Sequence, residues 1–127
     1  MAEIRFFDES FGGGRKTPLC RLRLDIEEIS VSELIRLRVE AQYDVEESRD
    51  WRPLEGSPEW LRAYAGADAS NDRTTLDKAV EAARRGLLAN AYFLLINGEQ
   101  VRDLGRKVRL QDVNEAVFLR LIALKGG

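Results

Sequence analysis

The chain has 127 residues and a formal net charge of −2, with 44% hydrophobic and 33% charged residues. That length is sufficient for one domain to bury a core without disulfides or a metal, and the mixing of basic with acidic residues argues against a general nucleic-acid-binding protein. A single cysteine, no hydrophobic signal segment and no membrane-length apolar run predict a cytoplasmic protein without membrane contact, and the absence of histidine removes the usual general base and the commonest metal ligand.

The N-terminal region is expected to form a β-hairpin. Two β-like runs, residues 4–8 and 19–29, flank a glycine-rich turn. In the second run the apolar residues Leu22, Leu24 and Ile26 alternate with charged residues, which is typical of a strand with one solvent-exposed face. The lone cysteine, Cys20, lies in this run without a histidine to activate it, so we interpret it as a small packed apolar residue.

A helix is predicted over residues 31–46. It begins with Ser30 and Glu33, which have the spacing of a capping box, in which the serine hydroxyl accepts a hydrogen bond from the third helical amide. The helical spacing gives a buried stripe and leaves charged residues outside it. The expected stripe is Val31, Leu34, Ile35 and Val39, with Glu33, Arg36 and Arg38 outside it.

Residues 48–89 are predicted to form an insertion that carries a second helix. Residues 48–73 contain prolines and glycines but are too apolar for a free linker, and a helical turn is expected near residues 58–65. The aromatic residues of this part are Trp51, Trp60 and Tyr64. They allow two interpretations: a surface for a partner protein, or side chains that fasten the insertion to the core. The second helix is predicted over residues 75–88, with its apolar face formed by Leu76, Ala79, Val80, Ala83 and Leu87.

The last third of the chain is predicted to contain the remaining strands. Residues 91–96 form an apolar run that ends at Asn97-Gly98, the strongest short turn signal in the sequence. A short strand near Val101, a turn at Leu104-Gly105 and a short extended segment at 107–110 follow. The final strand is predicted over residues 115–124. Its almost unbroken apolar character favours a central strand that is covered on both faces, as in parallel pairing.

The sequence closes on Gly126 and Gly127. With glycine at about 7% of residues, two in the last two positions arise by chance in about 0.5% of chains. A hairpin, a helix and further strands that end in Gly-Gly resemble the ubiquitin-like β-grasp family. The residues that carry this resemblance are Ile96-Asn97-Gly98-Glu99-Gln100-Val101, Leu104, Leu110, Val117-Phe118-Leu119 and the two glycines, which are similar to the end of the sulfur carriers of molybdopterin and thiamine synthesis. Leu119-Arg120-Leu121 before the glycines also resembles the end of ubiquitin.

The resemblance implies an α+β β-grasp fold, with a mixed sheet of four to five strands crossed by the first helix and with the first strand parallel to the last. The chain would be a single domain, 1–127, with the insertion at 48–89 and an extended tail at 122–127. The reactive groups implied are Gly126 and Gly127, because a partner enzyme adenylates the terminal carboxylate in this family. The implied docking tail is Arg120, Leu121, Ile122, Ala123, Leu124 and Lys125.

Three functions remain open on the sequence. The first is a ubiquitin-like modifier that is joined through a thioester to a target amine, and the second is a sulfur carrier that forms a C-terminal thiocarboxylate. The third is a β-grasp interaction module that never reacts. The first implies an activating enzyme, conjugating and deconjugating enzymes and a target protein as partners. Under all three functions we expect that the chain is not itself an enzyme and that it is a monomer or part of a heterocomplex. We expect no bound metal and no bound cofactor, because the partner enzyme is the protein that consumes ATP.

Overall fold

The computed structural model of the protein describes residues 1–10, 16–43, 50–57 and 73–120. Two helices, α1 (Val31–Tyr43) and α2 (Arg73–Leu88), and eight strands occur in these residues. The strands are β1 (Ala2–Ser10), β2 (Lys16–Leu24), β3 (Glu28–Ser30), β4 (Asp50–Pro53), β5 (Tyr92–Ile96), β6 (Glu99–Val101), β7 (Lys107–Arg109) and β8 (Val113–Arg120). The predicted α+β class is therefore confirmed.

Six strands form a mixed sheet in the order β4-β2-β1-β8-β5-β6. β1 is antiparallel to β2 and parallel to β8, with Phe6 opposite Cys20 on one side and Ala116 on the other. β8 is antiparallel to β5. The predictions of an N-terminal hairpin and of a central final strand in parallel pairing are thus confirmed. β3 and β7 form a separate two-stranded ribbon.

β8 begins two residues before the predicted start, and the predicted residues 121–124 lie outside the described residues. The predicted cover on both faces is incomplete, because Val113 and Glu115, on the face opposite Ala116, are exposed.

Among the described residues, the main sheet has one more strand than the four to five that were predicted. The addition is β4, which pairs with β2 and lies at the edge of the sheet. Its sequence, Asp-Trp-Arg-Pro, has only four residues and ends in proline, so it shows no clear alternation. An edge strand tolerates proline because its outer amides need no partner strand.

The hairpin's second strand is shorter than predicted. β2 ends at Leu24, and Ile26, which the alternating pattern assigned to the buried face, is 41% exposed. The chain becomes extended again only at β3, where Glu28–Ser30 pairs with β7. Residues 19–29 therefore form two strands with a bend between them, because the apolar alternation continues past the point at which β1 can supply a partner.

The first helix begins as predicted. The Ser30 hydroxyl accepts a hydrogen bond from the Glu33 amide at 3.1 Å, and the orphan amides of Val31 and Ser32 donate to the carbonyls of Arg106 and Leu104. The four residues of the predicted stripe are buried. α1 is described to Tyr43, and the predicted continuation over 44–46 lies outside the described residues.

The core lies between one face of the sheet and the two helices. Side chains of β1, β2, β5 and β8 pack against α1 and against Leu87 of α2, and the largest of them, Phe6, is fully buried. α2 confirms the predicted second helix, with Leu76, Val80 and Leu87 buried along one side. It therefore lies beside α1 on the same face of the sheet.

The predicted turn at Asn97-Gly98 is confirmed. Both residues have positive φ, 53° and 85°, as a type I′ hairpin turn requires. The Asn97 side chain accepts a hydrogen bond from the Glu115 amide and donates one to the Asn114 side chain. Asn114 is 1% exposed and donates to the carbonyls of Glu3 and Gln111, so its buried amide joins the start of β8 to β1 and to the turn.

Candidate functional site

β8, the strand that precedes the predicted tail, lies between β1 and β5 in the main sheet. Arg120, the last described residue, lies opposite Ser10 at the end of β1 and opposite Tyr92 at the start of β5. Arg120 therefore lies at the edge of the sheet where β1 ends and β5 begins. The other predicted tail residues, Leu121 to Lys125, and the predicted reactive residues Gly126 and Gly127 lie outside the described residues.

Arg120 is the one predicted tail residue that the structure describes. Its side chain is 64% exposed, and Nη2 lies 4.0 Å from Oδ2 of Asp8, at the limit of an ion pair. A pair that is this open to water contributes little to stability. The guanidinium is thus close to Asp8 without being held firmly by it.

Asp8 is held instead by Arg38. Nε of Arg38 donates to Oδ1 of Asp8 at 3.2 Å, and Nη2 donates to Oδ2 at 2.7 Å. This is the bidentate geometry that a guanidinium and a carboxylate favour. The two side chains are 6% and 22% exposed. The Arg38 guanidinium also lies 5.9 Å from the ring centroid of Phe118, within the range of a cation–π contact.

The prediction that Arg38 lies outside the buried stripe of α1 is wrong. Arg38 follows Leu34 by four positions, and residues with that spacing share a helix face. The helical spacing was therefore a usable signal, but a charged residue is ordinarily assigned to solvent because it is rarely buried without a partner. Its partner, Asp8, is 30 positions away, and local sequence patterns do not report such a pairing.

A cleft of about 190 Å³ lies between the two helices and the end of the sheet, next to Arg120. We call it the interhelix cleft. Its charged lining residues are Asp8, Arg38 and Arg120, and its remaining lining residues are Ile35, Val39, Ala79, Ala83, Tyr92 and Phe118. The two arginines and one aspartate give these lining residues a formal charge of +1.

Tyr92 forms part of the apolar wall of this cleft. Its ring lies 5.7 Å from that of Phe118, and its hydroxyl donates a hydrogen bond to the Ala83 carbonyl at 2.7 Å. Burial raises the pKa of Tyr92 to about 12, although Arg38 and Arg120 oppose this, so the hydroxyl stays protonated at neutral pH. Gly86 leaves room for the ring, since a Cβ there would lie 3.2 Å from it.

A second set of charged residues joins the two helices. Arg36 donates to Glu40 at 2.9 Å and to Asp77 of α2 at 3.3 Å. The Glu40 side chain is only 2% exposed, so this carboxylate is buried with its charge compensated. These contacts fix α1 against α2, and thereby fix the two helical walls of the interhelix cleft.

The opposite face of the sheet carries a cluster of arginines around Glu3. Arg5 donates to the Glu3 carboxylate at 2.6 Å and Arg21 at 3.3 Å, while Arg23 lies 3.8 Å away. The hydrogen bond from Arg5 lowers the pKa of Glu3 despite the opposing effect of burial. Arg21 is directly opposite both Arg5 and Arg52, and like charges in that position destabilise a sheet. The Glu3 carboxylate, which contacts Arg5 and Arg21, offsets this repulsion.

Trp51 packs against the core, as expected if the aromatic residues attach the insertion to the rest of the domain. It lies on β4 opposite Leu22 and is half-buried against the core, with its ring 5.8 Å from that of Phe6. These contacts attach the edge strand of the insertion to the sheet. Trp60 and Tyr64, the other two aromatic candidates for a partner surface, lie outside the described residues.

The cysteine of the chain lies in the core and not at the interhelix cleft. Cys20 is buried among core side chains, and burial raises the pKa of its thiol to about 12, so the nucleophilic thiolate is scarce at neutral pH. Over residues 1–10, 16–43, 50–57 and 73–120, no group of histidine, cysteine and acidic side chains could hold a metal ion. In the same ranges, no helix has both the length and the apolar character to cross a bilayer.

Comparison with known proteins gives no match. No family model fits the sequence, and neither the curated proteins nor the solved structures contain a matching chain.

Proposed function

We propose that the chain is a ubiquitin-like β-grasp protein, whose Gly127 carboxylate is adenylated by a partner activating enzyme and then transferred through a thioester to a target amine. The observation that carries this proposal is the parallel pairing of β1 with β8 in the middle of a mixed sheet. That arrangement agrees with the family whose last third and terminal glycines this sequence resembles.

The insertion is compatible with this fold. β4 adds to the outer edge of β2, and α2 packs beside α1. Neither element interrupts the neighbouring strands β2-β1-β8-β5, so β4 extends the sheet and α2 extends the helical layer without changing the central strands. The described part of the insertion therefore leaves intact the order of central strands on which the proposal depends.

The chemistry needs only the terminal carboxylate of this chain. In the first step a carboxylate oxygen of Gly127 attacks the α-phosphate of ATP, and an acyl-adenylate forms while pyrophosphate leaves. A partner thiolate then attacks the Gly127 carbonyl, AMP leaves, and a thioester results. An amine of the target finally displaces the thiol and forms an amide. A glycine offers no Cβ to hinder any of these attacks.

The position of Arg120 supports access to the tail. β8 ends at the rim of the sheet, and the Arg120 side chain there is largely exposed. An enzyme that binds the tail can therefore approach the domain at this rim. The inert Cys20 also agrees with a chain that supplies a substrate carboxylate and leaves the nucleophiles to its partners.

The proposal is tested by incubating the protein with ATP and the candidate activating enzymes encoded beside its gene, followed by intact mass measurement. A thiol-sensitive adduct with the enzyme, and a lysine-linked target after a conjugating enzyme is added, are the expected results. A mass gain of one sulfur in place of one oxygen assigns the sulfur-carrier function instead. If no partner changes the mass of the protein, and the protein keeps its full biological activity after deletion of Gly126 and Gly127, the chain is assigned as the non-reactive interaction module.

A further inference from the structure

We propose that the interhelix cleft is a binding site for a small carboxylate that carries a phenyl-sized apolar group. The proposal uses only described residues and does not depend on the reactivity of the terminal glycines. The size of the cleft, its apolar wall and its unequal charges each point to this class of ligand.

The cleft is large enough for an aromatic ring. Its volume is about 190 Å³, whereas an engineered apolar cavity of roughly 150 Å³ is known to bind benzene. The small side chains of Ala79 and Ala83 on α2 leave this space, and Ile35 and Phe118 provide apolar surface opposite them. A ring in this position would exchange water for contact with aliphatic and aromatic carbon.

The charges of the lining residues favour an anion. Asp8 already accepts both of its short hydrogen bonds from Arg38, and the Arg120 guanidinium reaches Asp8 only at 4.0 Å. Among the lining residues, the Asp8 carboxylate is thus engaged by Arg38, and the Arg120 guanidinium is held only weakly. Apolar walls concentrate the resulting positive field within the cleft, so a ligand carboxylate near Arg120 would balance the charge.

The site is held in shape before a ligand arrives. The Arg38 side chain is 6% exposed and that of Asp8 is 22% exposed, and two hydrogen bonds between them hold the guanidinium in place. The hydrogen bonds among Arg36, Glu40 and Asp77 fix α1 against α2. The hydrogen bond from the Tyr92 hydroxyl to the Ala83 carbonyl fixes the position of the Tyr92 ring. Apart from Arg120, little side-chain ordering therefore remains to be done on binding, which favours affinity for a small ligand.

The test is a titration of the full-length 15N-labelled protein, without ATP or partner enzymes, with 3-phenylpropionate and with its neutral amide. Amide shift changes are expected to saturate around Val39, Ala83 and Arg120, with a dissociation constant on the order of millimolar for a ligand of this size. The neutral amide is expected to bind at least threefold more weakly. Equal affinity for the acid and the amide, or no saturable change, would overturn the proposal.

Substitutions locate the binding. Ala79→Leu fills the cleft and is expected to abolish the shift changes, whereas Ala82→Leu, on the exposed side of the same helix, is expected to leave them unchanged. Arg120→Gln is expected to weaken binding of the acid by about threefold to tenfold, in line with a partly exposed charge-assisted hydrogen bond. The matched charge control is Arg85→Gln, which lies on α2 outside the cleft and is expected to have no effect.

The same ligand chemistry has two sources, a free small acid or the C-terminal residue of a peptide. A peptide that ends in Gly-Gly-Phe with a free carboxylate is therefore titrated in parallel with its amidated form. Binding of the free-carboxylate peptide at least as tightly as 3-phenylpropionate supports a peptide as the natural source, and binding of the small acid alone supports a metabolite. Saturable binding that persists unchanged in the Ala79→Leu protein would contradict the assignment of the cleft for both sources.

Discussion

Replacement of Asp8 by asparagine is expected to destabilise the protein by about 3 kcal/mol, because it removes the carboxylate that accepts two hydrogen bonds from the buried Arg38 guanidinium. The loss of one member of a buried ion pair costs roughly 3–5 kcal/mol. The lower end of this range applies here, since the Asp8 side chain is 22% exposed and water reaches it. For a domain of this size, about 3 kcal/mol corresponds to a decrease of about 10 °C in Tm.

The companion substitution distinguishes the charge from the packing. In the double variant Asp8→Asn/Arg38→Met no charge is buried at this position, and the methionine fills much of the space of the arginine stem. Its stability is therefore expected to lie within about 1 kcal/mol of the wild-type protein. The free energy of unfolding is measured by urea denaturation of the two single variants and the double variant.

The matched control is Asp50→Asn. Asp50 also pairs with an arginine, Arg52, but at 3.6 Å and with both side chains about half exposed or more, so its replacement is expected to cost less than about 0.5 kcal/mol. A cost for Asp8→Asn as small as that of the control would refute the burial of Arg38 as described. A double variant no more stable than Asp8→Asn alone would refute the assignment of the cost to an uncompensated charge.

Three further predictions follow from the turn, the arginine cluster and the thiol. Gly98→Ala is expected to cost about 1 kcal/mol in urea unfolding, because φ is 85° there, whereas Gly105→Ala, without a positive φ, should change stability by less than about 0.5 kcal/mol; equal effects would contradict the turn geometry. Arg5 lowers the pKa of Glu3 below its ordinary value of 4.5, so the stability that this carboxylate contributes is present above pH 4.5 and is lost as the pH falls through the folded-state pKa. The stability difference between wild type and Glu3→Gln should therefore shrink in acid unfolding curves, and a difference that is constant with pH would count against the pair. Native Cys20 is expected to resist alkylation by iodoacetamide at pH 8 and to react once urea unfolds the chain, because burial raises its pKa to about 12; fast labelling of the native protein would show that the thiol is accessible.

The features that local sequence could predict are those with a local physical cause. Ser30 and Glu33 are three residues apart and cap the same helix turn. Asn97 and Gly98 tolerate the positive φ of a tight hairpin turn. The apolar run over residues 115–124 predicted a central strand in parallel pairing, and β8 lies between β1 and β5, parallel to β1.

The features that local sequence did not predict depend on contacts between distant parts of the chain. Arg38 is buried with its guanidinium hydrogen-bonded to Asp8, which lies on the first strand. β4 forms because the free edge of β2 is available to a segment that would not by itself be recognised as a strand. Ile26 is exposed because the hairpin ends before it, although its own alternation with charged residues is regular.

The interhelix cleft was missed for the same reason. Its residues come from β1, α1, α2, β5 and β8, and their spacing along the chain carries no common pattern. Ala79 and Ala83 were expected on the packed side of α2, which is correct, but their small size creates space that only the folded arrangement reveals.

The central claim, activation of the Gly127 carboxylate, is tested most directly by pyrophosphate exchange. The candidate activating enzyme is supplied with ATP and labelled pyrophosphate, and the incorporation of label into ATP is compared between the full chain and a chain that lacks Gly126 and Gly127. We predict exchange that rises with the concentration of the full chain and is absent with the shortened one. Equal exchange with both chains would contradict the claim, because the label would then enter ATP without an adenylate at Gly127.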